Sequence, residues 1–236
     1  MKLIYTYILM MFIMVSNAQT INVPDVNFKN KLLQANFNNT IALDQFGNSI
    51  RIDTNNDSEI QASELNIVRT LNISDCGIAD LTGLSYFVNL RKLDCSYNYL
   101  ISTIDATPLT NLIRLECQYN RLTSINIAGL AALEYFNCSY NQLPVLTFTG
   151  NTYLNILYCT NNLLTSLTIT NATHLFWVYC SSNRISNLNF AGSYNLERLY
   201  CDGNLLNSLD LSAYTNLHQL DCSFNAINNL NVNGLV

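Results

Sequence analysis

The sequence predicts a parallel β-solenoid, in which short repeats stack side by side around one elongated core. Seven eleven-residue segments align without gaps, and they read LRKLDCSYNYL, LIRLECQYNRL, LEYFNCSYNQL, LNILYCTNNLL, LFWVYCSSNRI, LERLYCDGNLL and LHQLDCSFNAI. They begin at Leu90 and end with the copy at Leu217, and their period is 22 residues once and 21 thereafter. A variant copy at Val68 makes eight. Because one such unit cannot bury its own apolar face, neighbouring copies must stack.

Each copy predicts a short strand followed by an extended return. A Leu and a Cys two positions apart, such as Leu115 and Cys117, point to the same side of a strand and hence into the core. Stacked copies therefore give a parallel sheet, which we expect on the concave face. The return side reads L-x-x-L-x-L, as in Leu122, Ile125 and Ile127. A coil of this length leaves little room for a helix there, so we expect extended chain or a short turn on the convex side.

An asparagine stands three residues after each repeat cysteine, where the chain must turn. A side-chain amide can satisfy backbone groups that the turn would otherwise bury without partners. Repetition of this residue predicts an internal ladder along the coil, formed by Asn98, Asn120, Asn141, Asn162, Asn183, Asn204 and Asn225.

The pattern L-x-x-L-x-C-x-x-N-x-L resembles the leucine-rich-repeat family, and the resemblance covers residues 68–236. The arrangement looks like the extracellular leucine-rich-repeat proteins of Bacteroidota and, more loosely, the internalin-like surface proteins. That resemblance implies a bacterial protein that is secreted or exposed on the cell surface. The type IX sorting domain that ends many of the Bacteroidota proteins has no counterpart in this sequence.

Eight cysteines in a secreted chain would ordinarily suggest disulfides. Here seven of them occupy one inward column, where parallel side chains fit disulfide geometry poorly and a line of thiols cannot surround a zinc ion. We therefore expect free, buried thiols that act as small hydrophobic residues, at Cys95, Cys117, Cys138, Cys159, Cys180, Cys201 and Cys222.

The N-terminal segment predicts secretion. Lys2 precedes a mostly apolar run from Leu3 to Val15, and Ser16-Asn17-Ala18 supplies small residues for signal peptidase. Residues 1–18 are thus predicted to be a signal peptide. The run is short for a membrane span, so we expect no transmembrane segment in the mature chain; the alternative is an uncleaved anchor.

Residues 19–67 lie outside the repeat and are predicted to cap the solenoid of residues 68–236. Pro24-Asp25 followed by Phe28, Leu32 and Ala35 predicts a short amphipathic helix within this cap.

The cap also contains DTNNDSEIQASE, which matches the spacing of an EF-hand calcium loop. We expect a structural Ca²⁺ ion, although Ser58 replaces the usual glycine and would weaken binding, and the alternative is a solvated acidic turn without an ion. Gln61 or a water could complete a shell formed by Asp53, Asn55, Asp57, the carbonyl of Glu59 and Glu64.

Residues that flank the inward leucines should project from the concave face. In the early copies they pair acidic Asp94 and Glu116 with basic Lys92 and Arg114, and in the later copies they are mainly aromatic. Tyr and Trp are enriched in binding hot spots, although aromatic residues also favour strands for their own sake. We predict a ligand-binding surface at Tyr135, Ile156, Tyr158, Trp177, Tyr179, Arg198 and Tyr200, hereafter the aromatic surface.

Composition narrows the function further. With 11 basic against 16 acidic side chains, the chain lacks the basic clusters of nucleic-acid-binding proteins. The two histidines fall off the concave face and no nucleophile motif appears, so we expect no enzyme. The prediction is a secreted or cell-surface module that binds a protein or a glycan; the alternative is a structural spacer of a larger surface protein. The sequence stops inside the eighth copy without a polar cap, so we also expect self-association through that coil.

Overall fold

The computed structural model describes residues 19–235. The predicted signal peptide, residues 1–18, lies outside the described residues. None of the helices within 19–235 is long and apolar enough to cross a membrane.

Most of the described chain consists of three-residue strands joined by turns. The cap contributes helix α1 (Val26–Gln34), strand β1 (Ala42–Leu43) and helix α2 (Ala62–Leu65). The concave strands are β2 (Thr70–Asn72), β3 (Lys92–Asp94), β5 (Arg114–Glu116), β7 (Tyr135–Asn137), β8 (Ile156–Tyr158), β10 (Trp177–Tyr179), β12 (Arg198–Tyr200) and β14 (Gln219–Asp221).

These eight strands form one parallel sheet in which each repeat pairs with the next in exact repeat register, for example Leu93 with Leu115. The predicted solenoid with a parallel concave sheet is therefore confirmed. One feature was not predicted: β1 of the cap pairs antiparallel with β2 and becomes the ninth strand, with Ala42 opposite Leu71. The cap thus covers the first coil by continuing its sheet, which satisfies the backbone groups of an otherwise open edge.

The convex side is extended, as predicted, with one 3-10 turn at Leu84–Tyr86. Its strands are β4 (Thr103–Asp105), β6 (Ser124–Asn126), β9 (Ser166–Thr168), β11 (Asn187–Asn189), β13 (Ser208–Asp210) and β15 (Asn229–Asn231). They form three separate two-stranded sheets. Between β6 and β9, Pro144 occupies the repeat position that Thr123 has in the preceding copy. There, Thr123 N donates to Ser102 O at 2.9 Å. Proline has no N–H, so that backbone bond cannot form at Pro144.

The asparagine ladder is present and nearly regular. Asn162 Nδ2 donates to the carbonyls of Cys138 (3.0 Å) and Cys159 (3.2 Å), while its Oδ1 accepts from Leu143 N at 3.0 Å. Each such residue therefore joins two successive coils. Asn120 also joins two coils, through its donations to the carbonyls of Cys95 and Cys117, but its buried Oδ1 has no hydrogen-bond partner.

The cysteines stack in one inward column, and none of the eight, all within residues 19–235, forms a disulfide. Six members of the column are fully buried and Cys222 is partly buried. The Sγ of Cys117 donates to the carbonyl of Asn137 in the next coil at 3.4 Å. Burial raises the pKa of the buried thiols, to about 12 for Cys201 and well above the usual range for Cys159. These thiols are therefore neutral packing groups near neutral pH.

The predicted cap helix is confirmed as α1. Asp25 caps it by accepting from Phe28 N at 2.9 Å, and Phe28 and Leu32 are fully buried against the first coil. The second oxygen of Asp25 accepts from the backbone N–H groups of Ala79 (2.8 Å) and Asp80 (3.0 Å). These bonds hold the pKa of Asp25 below its usual value, against the opposing effect of its partial burial. One carboxylate thus fixes the helix to the first repeat.

Candidate functional site

The aromatic surface forms on four adjacent strands. Its seven residues occupy the outward positions of β7, β8, β10 and β12, and all are half-buried. The parallel register places Trp177 between Ile156 and Arg198, and Tyr179 between Tyr158 and Tyr200. The sequence prediction that these side chains share one face is therefore correct; whether they bind a ligand is a separate question.

The tyrosines of this surface stack on one another. Ring centroids lie 4.5 Å apart for Tyr158 and Tyr179 and 4.8 Å apart for Tyr179 and Tyr200, with the ring planes within 11° and 8° of parallel. Tyr135 meets Tyr158 at 5.7 Å with a 45° tilt. Because neighbouring rings cover one another's faces, the stack presents ring edges and hydroxyls. Burial raises the pKa of Tyr158 to about 12, so its hydroxyl remains a neutral donor and acceptor at neutral pH.

Arg198 lies beside this stack and covers Trp177. Its Cζ is 4.5 Å from the centroid of the Trp177 ring, a cation–π contact. The Nε of Arg198 and the Nε1 of Trp177 are both buried without a hydrogen-bond partner. Two buried donors without acceptors therefore lie within the aromatic surface, on neighbouring strands.

The early repeats carry a different, charged surface. Arg114 pairs with Glu116 at 2.7 Å and lies 3.6 Å above the ring of Tyr135. The predicted pairing of Lys92 with Asp94 is wrong, because Asp94 instead accepts from the N–H and hydroxyl of Ser96. A cavity of about 390 Å³ opens here between the cap and the sheet, with Leu43 of β1 in its wall. No sequence pattern predicts this cavity, because the two residues of β1 have no strand pattern of their own.

A second row of tyrosines borders the concave sheet at the turn that follows each cysteine. Tyr97, Tyr119 and Tyr140 stack with centroid distances of 4.6 and 4.2 Å. All three have positive φ values, of 58°, 56° and 56°. A left-handed backbone is unfavourable for such residues, and the stacking offsets part of that cost. The row lies outside the predicted site.

The predicted calcium loop adopts a compact turn within the cap. Asp53 accepts from the backbone N–H groups of Asp57 and Ser58, each at 3.2 Å. Ser58 has a φ of 64°, the left-handed conformation for which this loop motif normally uses glycine. Ser58 therefore adopts the backbone conformation that glycine usually provides at this position of the motif.

The residues at alternate positions of this loop converge. Asn55 Nδ2 and Gln61 Nε2 each reach Asp57 Oδ2 at 2.8 Å, and the carboxylates of Asp53 and Glu64 are buried without a cationic partner in the described chain. Glu64 accepts instead from the N–H groups of Thr54 and Gln61. No three His, Cys, Asp or Glu side chains cluster closely within residues 19–235. A cation here would therefore depend on amide and carbonyl oxygens as well as carboxylates, which is a donor set suited to Ca²⁺.

The comparisons with known proteins agree with this architecture. A family model for leucine-rich repeats, in two copies, matches residues 68–109. The functional domain of InlJ from Listeria monocytogenes is 28% identical with a TM-score of 0.63, and the match covers 89% of this chain and 49% of that domain. The fold is that of a leucine-rich-repeat protein. No curated protein sequence matches the chain.

Other solved leucine-rich-repeat structures are similar at lower identity. Internalin C2 from Listeria monocytogenes is 24% identical with a TM-score of 0.62, and the match covers 90% of this chain and 91% of that one. YopM, a leucine-rich effector protein from Yersinia pestis, is 19% identical with a TM-score of 0.52, over 69% of this chain and 51% of its own. The chain spans about half the length of the InlJ domain, which is described as including a cysteine ladder.

Proposed function

We propose that this leucine-rich-repeat solenoid is a secreted or cell-surface binding module that takes a protein or glycan on its aromatic surface. The observation that carries the proposal is the cluster of half-buried aromatic side chains on four adjacent concave strands, with unpartnered donors within it. Packing of the core does not require outward-facing aromatic residues, whereas binding hot spots are enriched in Tyr, Trp and Arg. The leucine-rich-repeat fold is itself commonly used for protein binding.

We propose binding rather than catalysis. His174 and His218 are exposed, and both precede the strands instead of facing the concave surface. His174 stacks on Tyr153 with ring centroids 4.8 Å apart. Burial raises the pKa of the column thiols, which disfavours the thiolate that a nucleophile needs. Acid–base or nucleophilic chemistry would thus lack a positioned base on the concave face.

The proposal is tested by screening the purified protein against arrays of glycans and bacterial or host surface proteins, together with a Trp177→Ala/Tyr179→Ala variant. We expect this variant to lose binding by a factor of about 30 or more, since two hot-spot truncations cost about 2 kcal/mol or more. A matched control is Tyr153→Ala/Tyr194→Ala, which removes two exposed aromatic residues outside the concave face.

Each outcome of the screen decides between the two functions. Loss of binding in the concave variant alone supports the aromatic surface and identifies the class of ligand. Equal loss in both variants, or none in either, contradicts a site at this surface. The absence of any ligand would favour the alternative function, a structural spacer within a larger surface protein.

A structural Ca²⁺ ion in the cap is our second proposal. Asp53, Asn55, Asp57, Glu64 and the carbonyl of Glu59 would hold it. The loop is already tied to the cap, since Lys29 of α1 pairs with Glu59 at 2.8 Å, and Ile21 N donates to Ile60 O at 2.8 Å. An ion there would fix α1, the N-terminal segment and α2 to one another.

Calcium should therefore raise thermal stability. We expect a melting temperature several degrees higher in 1–5 mM Ca²⁺ than in chelator, because a ligand at about 100 times its Kd stabilises the folded state by about 2.7 kcal/mol. Asp57→Asn is the informative variant, since Asp57 is exposed while Glu64 also caps α2. It should reduce the difference between Ca²⁺ and chelator, and the melting temperature in chelator measures separately the effect of weakening the bonds from Asn55 and Gln61 to Asp57. Equal melting temperatures of the wild type in Ca²⁺ and in chelator would dispose of the proposal.

We also propose association through the last described coil. Strand β14 ends the concave sheet within the described residues, and Phe224, Leu230 and Val232 are exposed beside it, Phe224 at 86%. Apolar side chains next to a free strand edge favour pairing with another chain. Sedimentation velocity should show a concentration-dependent increase in mass that Phe224→Lys abolishes. A concentration-independent monomer would contradict this.

A further inference from the structure

Two arginines on the concave face have the same aromatic support but different electrostatic surroundings. Arg114 lies over Tyr135 and Arg198 over Trp177, in each case on the neighbouring strand. Arg114 is neutralised by Glu116 at 2.7 Å. Within residues 19–235, Arg198 forms no ion pair and its guanidinium donates no hydrogen bond. It is therefore a fixed positive charge without a counter-charge.

The carboxylates near Arg198 are engaged elsewhere. Asp221 lies on the next strand, opposite Tyr200, and accepts from the N–H of Ser223 at 3.0 Å and its hydroxyl at 2.7 Å. Asp202 accepts from the hydroxyl of Ser181. These hydrogen bonds hold both carboxylates in the turns that follow the strands, so the guanidinium remains without an acceptor on the sheet.

We propose that Arg198, held on Trp177, binds a carboxylate of an acidic segment of a protein partner. This inference rests on the proposed function of the aromatic surface and names the chemistry of its ligand. A guanidinium presents a planar fork of donors that matches a carboxylate in two parallel hydrogen bonds. The guanidinium of Arg198 lies 4.5 Å from the centroid of the Trp177 ring, and its Nε has no acceptor within the described chain.

The tyrosine stack favours a protein over an acidic glycan as the source of that carboxylate. Sugars bind aromatic residues through the ring faces, but the faces between Tyr158, Tyr179 and Tyr200 are covered by one another, and Trp177 is covered by Arg198. The stack instead presents edges and hydroxyls in a row, which can meet the side chains and carbonyls of an extended peptide.

The test uses hexaglutamate peptide as the probe, with hexaglutamine as the uncharged comparison and hexagalacturonate as the acidic glycan. Isothermal titration at low ionic strength measures each against the wild type, Arg198→Gln and Arg114→Gln. The two variants lose the same formal charge, so they differ only in which arginine is removed. We expect hexaglutamate to bind the wild type and to bind Arg198→Gln at least about tenfold more weakly, with Arg114→Gln within about threefold of the wild type.

A further variant at the same position controls for any structural effect of the Arg198→Gln substitution. Arg198→Lys retains the charge but not the planar fork, and we expect an intermediate loss. Absence of hexaglutamate binding at millimolar concentration, equal binding to Arg198→Gln, or an equal loss in Arg114→Gln overturns the proposal. Arg198-dependent binding of hexagalacturonate alone also overturns it, in favour of an acidic glycan. If a ligand found on the arrays depends on Trp177 but not on Arg198, the proposed function stands and this inference fails.

Discussion

Alkaline pH should unfold this protein at a point where most folds of similar size remain stable. Six thiols of the cysteine column are buried, and desolvation raises the pKa of each one, to about 12 for Cys201. In the unfolded chain the same thiols ionise near pH 8.5. Their burial therefore stabilises the folded state fully below about pH 8.5, and this contribution is lost as pH rises toward the folded pKa values.

The expected loss is large because the thiols act together. Each one that ionises only in the unfolded chain reduces the free energy of unfolding by up to about 1.4 kcal/mol per pH unit. Five of them would exhaust a typical stability of about 10 kcal/mol within about two units above the thiol pKa. Urea denaturation from pH 7 to 11 measures this directly. Cys159→Ala should make the decline shallower by the share of one thiol, and a stability that is flat to pH 11 would contradict the account.

Asn162→Ala is expected to cost about 2–3 kcal/mol of stability. It leaves the N–H of Leu143 without a partner in the interior. It also removes one of the two asparagine donors to each of the carbonyls of Cys138 and Cys159, which keep their bonds from Asn141 and Asn183. A buried backbone group without a hydrogen bond costs about 1–3 kcal/mol. Urea denaturation followed by far-UV circular dichroism measures the difference between variant and wild type.

Asn120→Ala is the matched control, since Asn120 is equally buried and makes the same two donations. The Oδ1 of Asn120 accepts no hydrogen bond, so Asn120→Ala leaves one backbone N–H fewer without a partner than Asn162→Ala does. We expect it to cost about 1–2 kcal/mol less than Asn162→Ala. Equal losses at the two positions would show that the acceptor half of the ladder contributes little to stability.

The repeat made most of the fold predictable because the periodicity of the sequence is the periodicity of the structure. Leu115 and Cys117 indicate an inward row, and the same periodicity predicts that Trp177 and Tyr179 face outward. The cap was harder to predict, since its sequence occurs once. Its helix has a start signal at Asp25, but the two residues of β1 have no pattern of their own and form a strand only because β2 offers a free edge.

Side-chain partners were the least predictable feature. Lys92 and Asp94 stand in the same arrangement as Arg114 and Glu116, yet only the second pair forms, because Ser96 competes for the carboxylate of Asp94. The absence of a partner for Arg198 likewise depends on where Ser181 and Ser223 direct the nearby carboxylates. Composition and spacing do not encode such local competition between donors for one carboxylate.

Acrylamide quenching of Trp177 fluorescence tests the central claim, a binding site on the aromatic surface, most directly. Trp177 is the only tryptophan in the protein and lies within that surface, so its accessibility reports on the proposed site alone. With a ligand selected on the arrays at saturation, we predict a clear fall in the quenching constant, because the ligand covers the edge of the ring and the adjacent Arg198. An unchanged quenching constant at saturation would place the ligand elsewhere on the molecule and contradict the account.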